Sequence, residues 1–169
     1  MEQYVSYYES PLGLITLAAS KEALIGLWFD KQKHFGATLK ATPKLQERPV
    51  FKQAKEWLDC YFSGQPPEFT PPLTMLGSDF RRLVWTILLS IPYGCTTTYG
   101  EIAKAAAEKL NRPHMSAQAV GDAVGRNPIS LIIPCHRVIG AKGDLTGYAG
   151  GLARKQWLLE HEGLNLRHK

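Results

Sequence analysis

A proline-rich stretch divides this 169-residue chain into two parts of different character. Residues 63–77 contain four prolines. Because proline fixes a backbone dihedral and lacks an amide donor, no long helix or central strand can run through them. Residues 1–76 hold eight basic and eight acidic side chains, whereas residues 77–169 hold twelve and seven. We therefore predict two domains, a strand-rich one over 1–76 that ends in this connector and one over 77–169 that carries the net charge of +5.

The first domain has the pattern of a small antiparallel sheet followed by a helix. Runs rich in β-branched and aromatic residues cover 4–8, 14–19 and 23–29, and a Ser-Pro-Leu-Gly turn at 10–13 separates the first two. Short runs separated by turns are typical of a β-meander. Residues 51–62 then change to the apolar spacing of a helix.

The second domain favours helices. Ser78 is placed to cap a first helix, and Thr98 and Glu101 have the spacing of a capping box at the start of a second. Ser116 precedes a third helix, which extends to about Gly125. The second and third form a candidate helix-turn-helix in the basic half, although helix pairs are also common in proteins that bind no DNA.

The end of the chain combines an apolar run, a glycine-rich segment and a last helix. Residues 127–134 are mostly apolar, and we expect them to be buried and extended. Residues 143–151 hold four glycines and indicate a loop. An amphipathic helix over about 154–162 is expected to end at Gly163.

Cys135 is the strongest candidate for chemistry. It follows a proline at the end of the apolar run and is itself followed by His136 and Arg137. Cysteine attacks as a thiolate, and a nearby imidazole or cation lowers the pKa of the thiol. Glu162, on the last helix, is a candidate to orient the histidine, as in sets of nucleophile, base and orienting carboxylate. The alternative is a buried structural cysteine, which is the commoner role.

Several classes of protein are excluded. Three cysteines are too few for a disulfide framework and leave at least one thiol free. A reducing, cytoplasmic setting therefore fits best, with Cys60 and Cys95 as structural residues. The spacing of cysteines and histidines predicts no metal site, and no phosphate-binding glycine loop occurs, so we expect no cofactor. We also expect no targeting segment and no membrane span, because the apolar runs are too short.

One run resembles a known active-site signature. Residues 133–140, Ile-Pro-Cys-His-Arg-Val-Ile-Gly, look like the signature of the O6-alkylguanine-DNA alkyltransferases, also called methylated-DNA–protein-cysteine methyltransferases. Further matches to this family follow in order through residues 78–163. They are Val84-Trp85, Ile91-Pro92-x-Gly94, Tyr99-Gly100-x-Ile102-Ala103, Ala119-Val120-Gly121, Asn127-Pro128, Gly147-Tyr148-x-Gly150-Gly151 and Leu158-Leu159-x-x-Glu162. The first domain matches the family more loosely.

The resemblance implies a fold and a reaction. The fold is α+β, with an N-terminal ribonuclease H-like antiparallel sheet plus helix and a C-terminal helical domain of the winged helix-turn-helix kind. In the reaction, the Cys135 thiolate attacks the alkyl carbon on guanine O6, once only and irreversibly. By similarity, His136 takes the thiol proton through a water and Glu162 holds His136. Tyr99 donates to guanine N3, and Asn127 braces the turn around the cysteine.

The resemblance also implies contacts with the target base. The backbone carbonyls of Cys135 and Val138 accept from the exocyclic amine of guanine, and amides near Tyr148 and Ala149 hold O6. Whether O4-alkylthymine is also repaired stays open, as does the range of alkyl groups.

The implied partner is double-stranded DNA containing O6-alkylguanine, bound by a monomer, with the target nucleotide flipped out of the duplex. In the family, the second helix of the helix-turn-helix enters the minor groove, and the small residues Ala117, Ala119 and Gly121 suit that close approach. Gln118 stands where many relatives carry an arginine that fills the gap left by the flipped base. Arg126 is a further candidate for DNA contact.

Three other functions explain fewer of these residues than alkyl transfer does. An alkyltransferase-like damage sensor would bind the lesion without repair, but such proteins replace the cysteine that this chain keeps as Cys135. A DNA-binding regulator would need the helix pair but not Cys135, Tyr99 and Glu162 together. A thiol hydrolase would turn over esters without DNA.

Overall fold

The computed structural model describes residues 2–40 and 42–164. The chain forms two units by its internal contacts. The first consists of the residues up to Leu76 together with 128–130, and the second consists of Gly77–Asn127 and the residues from Leu131 onward.

The first unit is a sheet with one helix. Its elements are β1 (Gln3–Ser10), β2 (Gly13–Ser20), β3 (Ala23–Phe29), β4 (Lys44–Leu45) and α1 (Pro49–Phe62). The strand order is β3-β2-β1-β4, with antiparallel pairing from β1 to β3 as predicted. The short β4 was not predicted, and it pairs parallel to β1. Two residues are too few to carry a strand pattern, so only the fold could place them.

The core of this unit is built around an indole ring. Trp28 is fully buried and packs with Val5, Ala18 and Ile25. Gly26 leaves room for that ring, because a Cβ at this position would lie 2.1 Å from the indole. A strand glycine here therefore marks a close approach and not a break.

The outer edge of β3 is covered by two segments of the same unit. The Leu24 amide donates to the Pro72 carbonyl at 2.9 Å, and the Thr74 amide donates to the Leu24 carbonyl at 2.8 Å. Residues 128–130 bond in the same way to Leu27, at 2.9 and 3.0 Å. The last part of the proline-rich connector is therefore bound to the edge of β3. Proline can take part in this pairing because it lacks an amide donor but keeps its carbonyl acceptor.

The second unit is mainly helical. Its elements are α2 (Asp79–Leu89), β5 (Thr97–Thr98), α3 (Tyr99–Lys109), α4 (Ala117–Gly125), β6 (Val138–Ile139) and α5 (Leu152–His161). The three predicted helix caps are confirmed. The Ser78 and Ser116 side chains accept from amides of the first turns of α2 and α4. Thr98 and Glu101 form a reciprocal capping box on α3.

A second tryptophan fixes the helices of this unit. Trp85 of α2 is 1% exposed, and its indole Nε1 donates to the Ala123 carbonyl of α4 at 2.8 Å. The parallel pair β5 and β6 joins Thr98, the residue before α3, to Ile139. This pairing holds the start of α3 next to the segment that follows Cys135. No helix in the described ranges is long and apolar enough to cross a membrane.

Candidate active site

Cys135 lies at the start of a 3-10 turn, Cys135–Arg137, and not at the end of a strand. The prediction that residues 127–134 are extended is wrong, although their predicted burial is confirmed. Turns interrupt the segment, and Leu131 has a φ of 71°. A leucine in the left-handed region has no sequence signal, so the turn could not be foreseen. Successive side chains of a 3-10 turn project about 120° apart, whereas in a strand they point to opposite faces.

Asn127 connects the beginning of this segment to its end. Its side chain is buried, and Nδ2 donates to the Ile133 carbonyl at 2.8 Å and to Cys135 Sγ at 3.1 Å. One amide group therefore fixes both the backbone before the cysteine and the sulfur itself. These are the contacts that a brace for the turn would make.

The Cys135 thiol is 4% exposed. Burial raises the pKa of Cys135 to about 11, against the lowering effects of the Asn127 hydrogen bond and the charge of Lys155. The sulfur is therefore a thiol in the resting protein at neutral pH. A base must remove its proton before it can attack as a thiolate.

His136 and Glu162 form a fully buried pair. His136 Nε2 lies 2.7 Å from Glu162 Oε2, and neither side chain is exposed. Burial lowers the pKa of His136 and outweighs the hydrogen bond and charge of Glu162 that raise it, so the ring is neutral. Because the ionised carboxylate accepts from Nε2, the free lone pair lies on Nδ1. That atom is buried and has no hydrogen-bond partner among the described residues.

Glu162 is held by more than the histidine. Arg137 donates from Nε to Oε1 at 2.9 Å and from Nη2 to Oε2 at 3.1 Å, and the Gly94 amide donates to Oε1 at 3.0 Å. Burial alone would raise the pKa of Glu162, but His136 and then Arg137 hold it far below its usual range. The carboxylate is therefore charged and fixed in orientation.

Tyr99 is the first residue of α3, directly after the capping box. Its hydroxyl accepts from Thr146 Oγ1 at 3.0 Å. A Cβ at Gly121 of α4 would lie 3.8 Å from its ring, so the ring lies against α4 at the position of this glycine. The phenol therefore lies between the helix pair and the glycine-rich loop.

The predicted base-contact residues lie on the segment after the cysteine and on the loop. Val138 is buried in β6, and its amide donates to the Cys135 carbonyl. Tyr148 has its ring 6.5 Å from the ring of His136, nearly edge-on at 76°. Ala149 is half-buried beside it in sequence. The predicted loop over 143–151 is confirmed. The last helix, α5, starts slightly earlier than predicted, at Leu152, and ends at His161, so Glu162 is its C-cap residue and not part of the helix.

The predicted DNA-contact residues are divided between the two ends of α4. Ala117, Gln118 and Ala119 are exposed in its first turn, with half-buried Gly121 one turn later. Arg126 follows the last turn, where its Nε lies 3.9 Å from an Asp122 carboxylate oxygen. At about 1.5 Å per helical residue, Arg126 is roughly 12 Å along the axis from Gln118. The structure therefore does not bring these two side chains together.

Two residues of the site were not predicted from the sequence, and the role of a third was predicted only in part. Thr146 and Lys155 were not predicted, and Arg137 was noted only as a charge near the cysteine. Lys155 is fully buried, and burial lowers its pKa to about 8. A signal was present, because Lys155 shares its helix face with the apolar Leu158 and Leu159 at spacings of three and four residues.

The described residues contain no group of three or more His, Cys, Asp or Glu side chains that could hold a metal ion.

Comparisons with known proteins match both parts of the chain to one family. Residues 79–164 match the family model described as "6-O-methylguanine DNA methyltransferase, DNA binding domain". Residues 3–75 match the ribonuclease-like domain of the same family. These matches confirm the predicted α+β fold class, with a ribonuclease-like first part and a helical DNA-binding second part.

Individual relatives are similar along nearly the whole chain. A methylated-DNA–protein-cysteine methyltransferase of Mycobacterium tuberculosis is 45% identical over 154 residues, covering 91% of this chain and 88% of the relative. One from Methanosarcina acetivorans is 44% identical over 160 residues, covering 95% and 98%.

Solved structures agree with the sequence relatives. The crystal structure of Mycobacterium tuberculosis OGT in complex with DNA superposes with a TM-score of 0.80 at 41% identity, covering 96% of this chain and 92% of that one. Since both of its parts match the same family, this chain belongs to the 6-O-methylguanine DNA methyltransferases.

Proposed function

We propose that this protein repairs alkylated DNA by transferring the alkyl group from O6 of guanine to its own Cys135. The observation that carries the proposal is the hydrogen bond of 3.1 Å from Asn127 Nδ2 to Cys135 Sγ. The residue after this cysteine, His136, forms a buried pair with Glu162. A sulfur held in place beside a neutral, oriented imidazole suits a nucleophile and its base. Membership of the family supports the substrate and the reaction.

The first step is proton removal from the thiol. His136 accepts the proton at Nδ1 through a bridging water, while Nε2 keeps its hydrogen bond to the Glu162 carboxylate. Glu162 is ionised, so it stabilises the imidazolium that forms. Because the resting pKa of Cys135 is raised by burial, this removal is part of the barrier to transfer.

The second step is displacement at the alkyl carbon. The carbon–sulfur bond forms as the bond from carbon to guanine O6 breaks, and the electron pair of that bond goes to the base. Tyr99 donates a hydrogen bond to guanine N3 and so stabilises the developing negative charge. The guanine anion takes up a proton on N1 and the His136 imidazolium releases the thiol proton, so no net proton is gained or lost. Cys135 is left as a thioether. Because a thioether has no good leaving group, each molecule of protein reacts once.

The base is held by backbone groups. The carbonyls of Cys135 and Val138 accept from the exocyclic amine of guanine, and amides near Tyr148 and Ala149 bind O6. The Cys135 carbonyl already accepts from the Val138 amide, but a carbonyl oxygen has two lone pairs, so the second is available to the base.

DNA is bound through α4 and the basic charge of the second part. Small exposed side chains at Ala117 and Ala119, with Gly121, allow the helix to enter the minor groove closely. Gln118 enters the duplex in place of the flipped nucleotide and bonds to the orphaned base. Phosphate contacts, including one from Arg126, supply affinity that is independent of sequence and falls with salt.

The proposed reaction also indicates what each part of the chain does, how many subunits are needed and in which compartment the protein works. Residues 77–169 carry DNA binding and alkyl transfer, except that residues 128–130 belong by their contacts to the first unit, which residues 1–76 otherwise form. All the residues invoked belong to one chain, so a monomer suffices. A nucleophilic free thiol with a DNA substrate fits the reducing cytoplasm.

The test is intact-protein mass spectrometry after incubation with duplex DNA that contains one O6-methylguanine, followed by peptide mapping. We expect one added methyl group on Cys135 and no second turnover with excess DNA. The variant Cys135→Ser should bind the duplex normally but transfer at least about 1,000-fold more slowly, because an alcohol is a far weaker nucleophile at neutral pH.

Three results would contradict the proposal. Tight binding of the lesion by an unmodified wild-type protein would identify a damage sensor. Methylation of Cys135→Ser at the wild-type rate would exclude Cys135 as the nucleophile. Repeated ester hydrolysis without DNA would identify a thiol hydrolase.

A further inference from the structure

The Tyr99 hydroxyl accepts a hydrogen bond from the Thr146 side chain, at 3.0 Å. A phenol oxygen has one proton to donate and two lone pairs that accept. When a lone pair of Tyr99 is taken by Thr146, the phenol proton must point elsewhere. Accepting a hydrogen bond also strengthens the donor capacity of the same hydroxyl, because linked hydrogen bonds polarise one another.

The Thr146 side chain is held in one orientation by its methyl group. A Cβ at Gly140 would lie 3.2 Å from Thr146 Cγ2, so the methyl group packs against the glycine backbone. Threonine is stiff about its first side-chain torsion. With the methyl group fixed on that side, the hydroxyl is fixed towards Tyr99.

The Thr146 backbone is held by Lys155. The Lys155 ammonium donates from Nζ to the Thr146 carbonyl at 3.0 Å, and the lysine is fully buried. Burying an ammonium is unfavourable unless it gains a strong partner. A charge-assisted hydrogen bond of this kind therefore anchors the loop at the residue that contacts Tyr99.

We propose that Thr146 is a positioning residue for alkyl transfer. Its hydroxyl donates to Tyr99 and so directs the Tyr99 proton towards the leaving guanine, and Lys155 fixes Thr146 through its carbonyl. This inference rests on the proposed function, since it assigns Tyr99 the role of donor to the base. Thr146 itself does not touch the reacting atoms.

The test is a double-mutant cycle between Thr146 and Tyr99. Single-turnover transfer from a duplex with one O6-methylguanine is measured with protein in excess, which separates the rate constant at saturation from the half-saturating concentration. The variants are Thr146→Val, which replaces the hydroxyl by a methyl group, Thr146→Ser, which keeps it, Tyr99→Phe and the double variant T146V/Y99F. Thr86→Val, on the exposed face of α2, is the matched control.

We expect Thr146→Val to lower the saturating rate constant about 3- to 10-fold, as for the loss of one hydrogen bond. The half-saturating concentration should stay within about twofold, because the proposed role of Thr146 is to orient Tyr99 and not to contact DNA. Thr146→Ser and Thr86→Val should react like wild type. In the Tyr99→Phe background, adding Thr146→Val should change the rate by less than about 1.5-fold, since the residue acts through the phenol.

Four results would overturn the inference. An unchanged or faster Thr146→Val would mean that Tyr99 donates to Thr146 or that the bond does not matter. A slow Thr146→Ser would assign the effect to packing. An undiminished effect in the Tyr99→Phe background would mean that Thr146 acts elsewhere. Absence of methyl transfer by the wild-type protein would overturn the proposed function as well, whereas the other results leave it standing.

Discussion

The surroundings of Cys135 and the exposed end of α4 are built in opposite ways. Around the cysteine, His136 and Glu162 are buried, and Glu162 is fixed by bonds to His136, Arg137 and the Gly94 amide. At the start of α4, Gln118 is exposed, and the main fixed feature is the Ser116 cap on the helix backbone. One region is defined by polar contacts and the other by small side chains.

The proposed function accounts for this difference. Proton removal and charge stabilisation need groups that are already oriented in a site with little water. A helix can approach a DNA groove closely only if its side chains are small. Binding to DNA of any sequence also requires contacts that do not read particular bases. Changes near Cys135 should therefore affect the rate constant and the stability, and changes on α4 should affect DNA affinity.

Among the substitutions considered, Glu162→Gln should change stability and transfer rate the most. The substitution keeps the shape but removes the charge that balances Arg137, whose side chain is 9% exposed. Leaving a buried cation without its partner costs about 3–5 kcal/mol of unfolding free energy. Losing the carboxylate that stabilises the imidazolium should lower the saturating transfer rate about 100-fold.

Urea unfolding measures the first effect, and single-turnover transfer at a temperature where the variant is folded measures the second. Glu160→Gln is the matched control, because Glu160 lies only two residues before Glu162 but is exposed in the last turn of α5, where it accepts a hydrogen bond from Gln156. Glu162→Gln with the stability and rate of Glu160→Gln would show that the buried network does not preorganise the site.

The same network predicts how stability depends on pH. The folded-state pKa of His136 is lowered from 6.5 by burial, so the unfolded chain binds a proton first, and stability falls as the pH drops below 6.5. The folded-state pKa of Glu162 is also lowered, from 4.5, so a second loss begins below that value. Each proton contributes at most about 1.4 kcal/mol per pH unit.

Unfolding free energies between pH 8 and pH 4 test this dependence. Wild type should lose a little stability from pH 8 to pH 7, because burial lowers the folded-state pKa of Lys155 to about 8. It should decline further below 6.5, with a steeper decline near 4.5. The decline near 4.5 should be smaller in Glu162→Gln than in Glu160→Gln, because other carboxylates with lowered pKa values still contribute to it in both variants. A wild-type stability that rises as the pH falls from 6.5 would contradict a neutral, buried His136.

The two regions also differ in how far the sequence revealed them. The caps of α4 and α3 were predictable, because Ser116, Thr98 and Glu101 act on residues two or three positions away. The contacts of Glu162 join residues up to 68 positions apart, and no local pattern reports them. Cys135 and His136 were found through a motif, but the turn at Leu131 and the bond from Thr146 to Tyr99 depend on the folded chain. Local rules therefore predicted the elements, and the family resemblance implied the pair of His136 and Glu162. Only packing could reveal that Arg137 and the Gly94 amide also hold Glu162.

Gln118→Arg should give the smallest effect and should change affinity more than rate. It introduces the arginine that the family resemblance implies at this position, on the exposed first turn of α4. One added cation should raise the affinity for duplex DNA about two- to fivefold. If the new arginine contacts a phosphate, the slope of log K against log salt concentration should steepen by about 0.9, whereas insertion into the base stack should leave that slope unchanged.

Gln156→Arg adds the same charge on exposed α5 and serves as the control. The saturating transfer rate should stay within about twofold, because Gln118 lies outside the buried network. A tenfold change in that rate with unchanged affinity would mean that the exposed end of α4 sets the chemistry, and the contrast between the two regions would not hold.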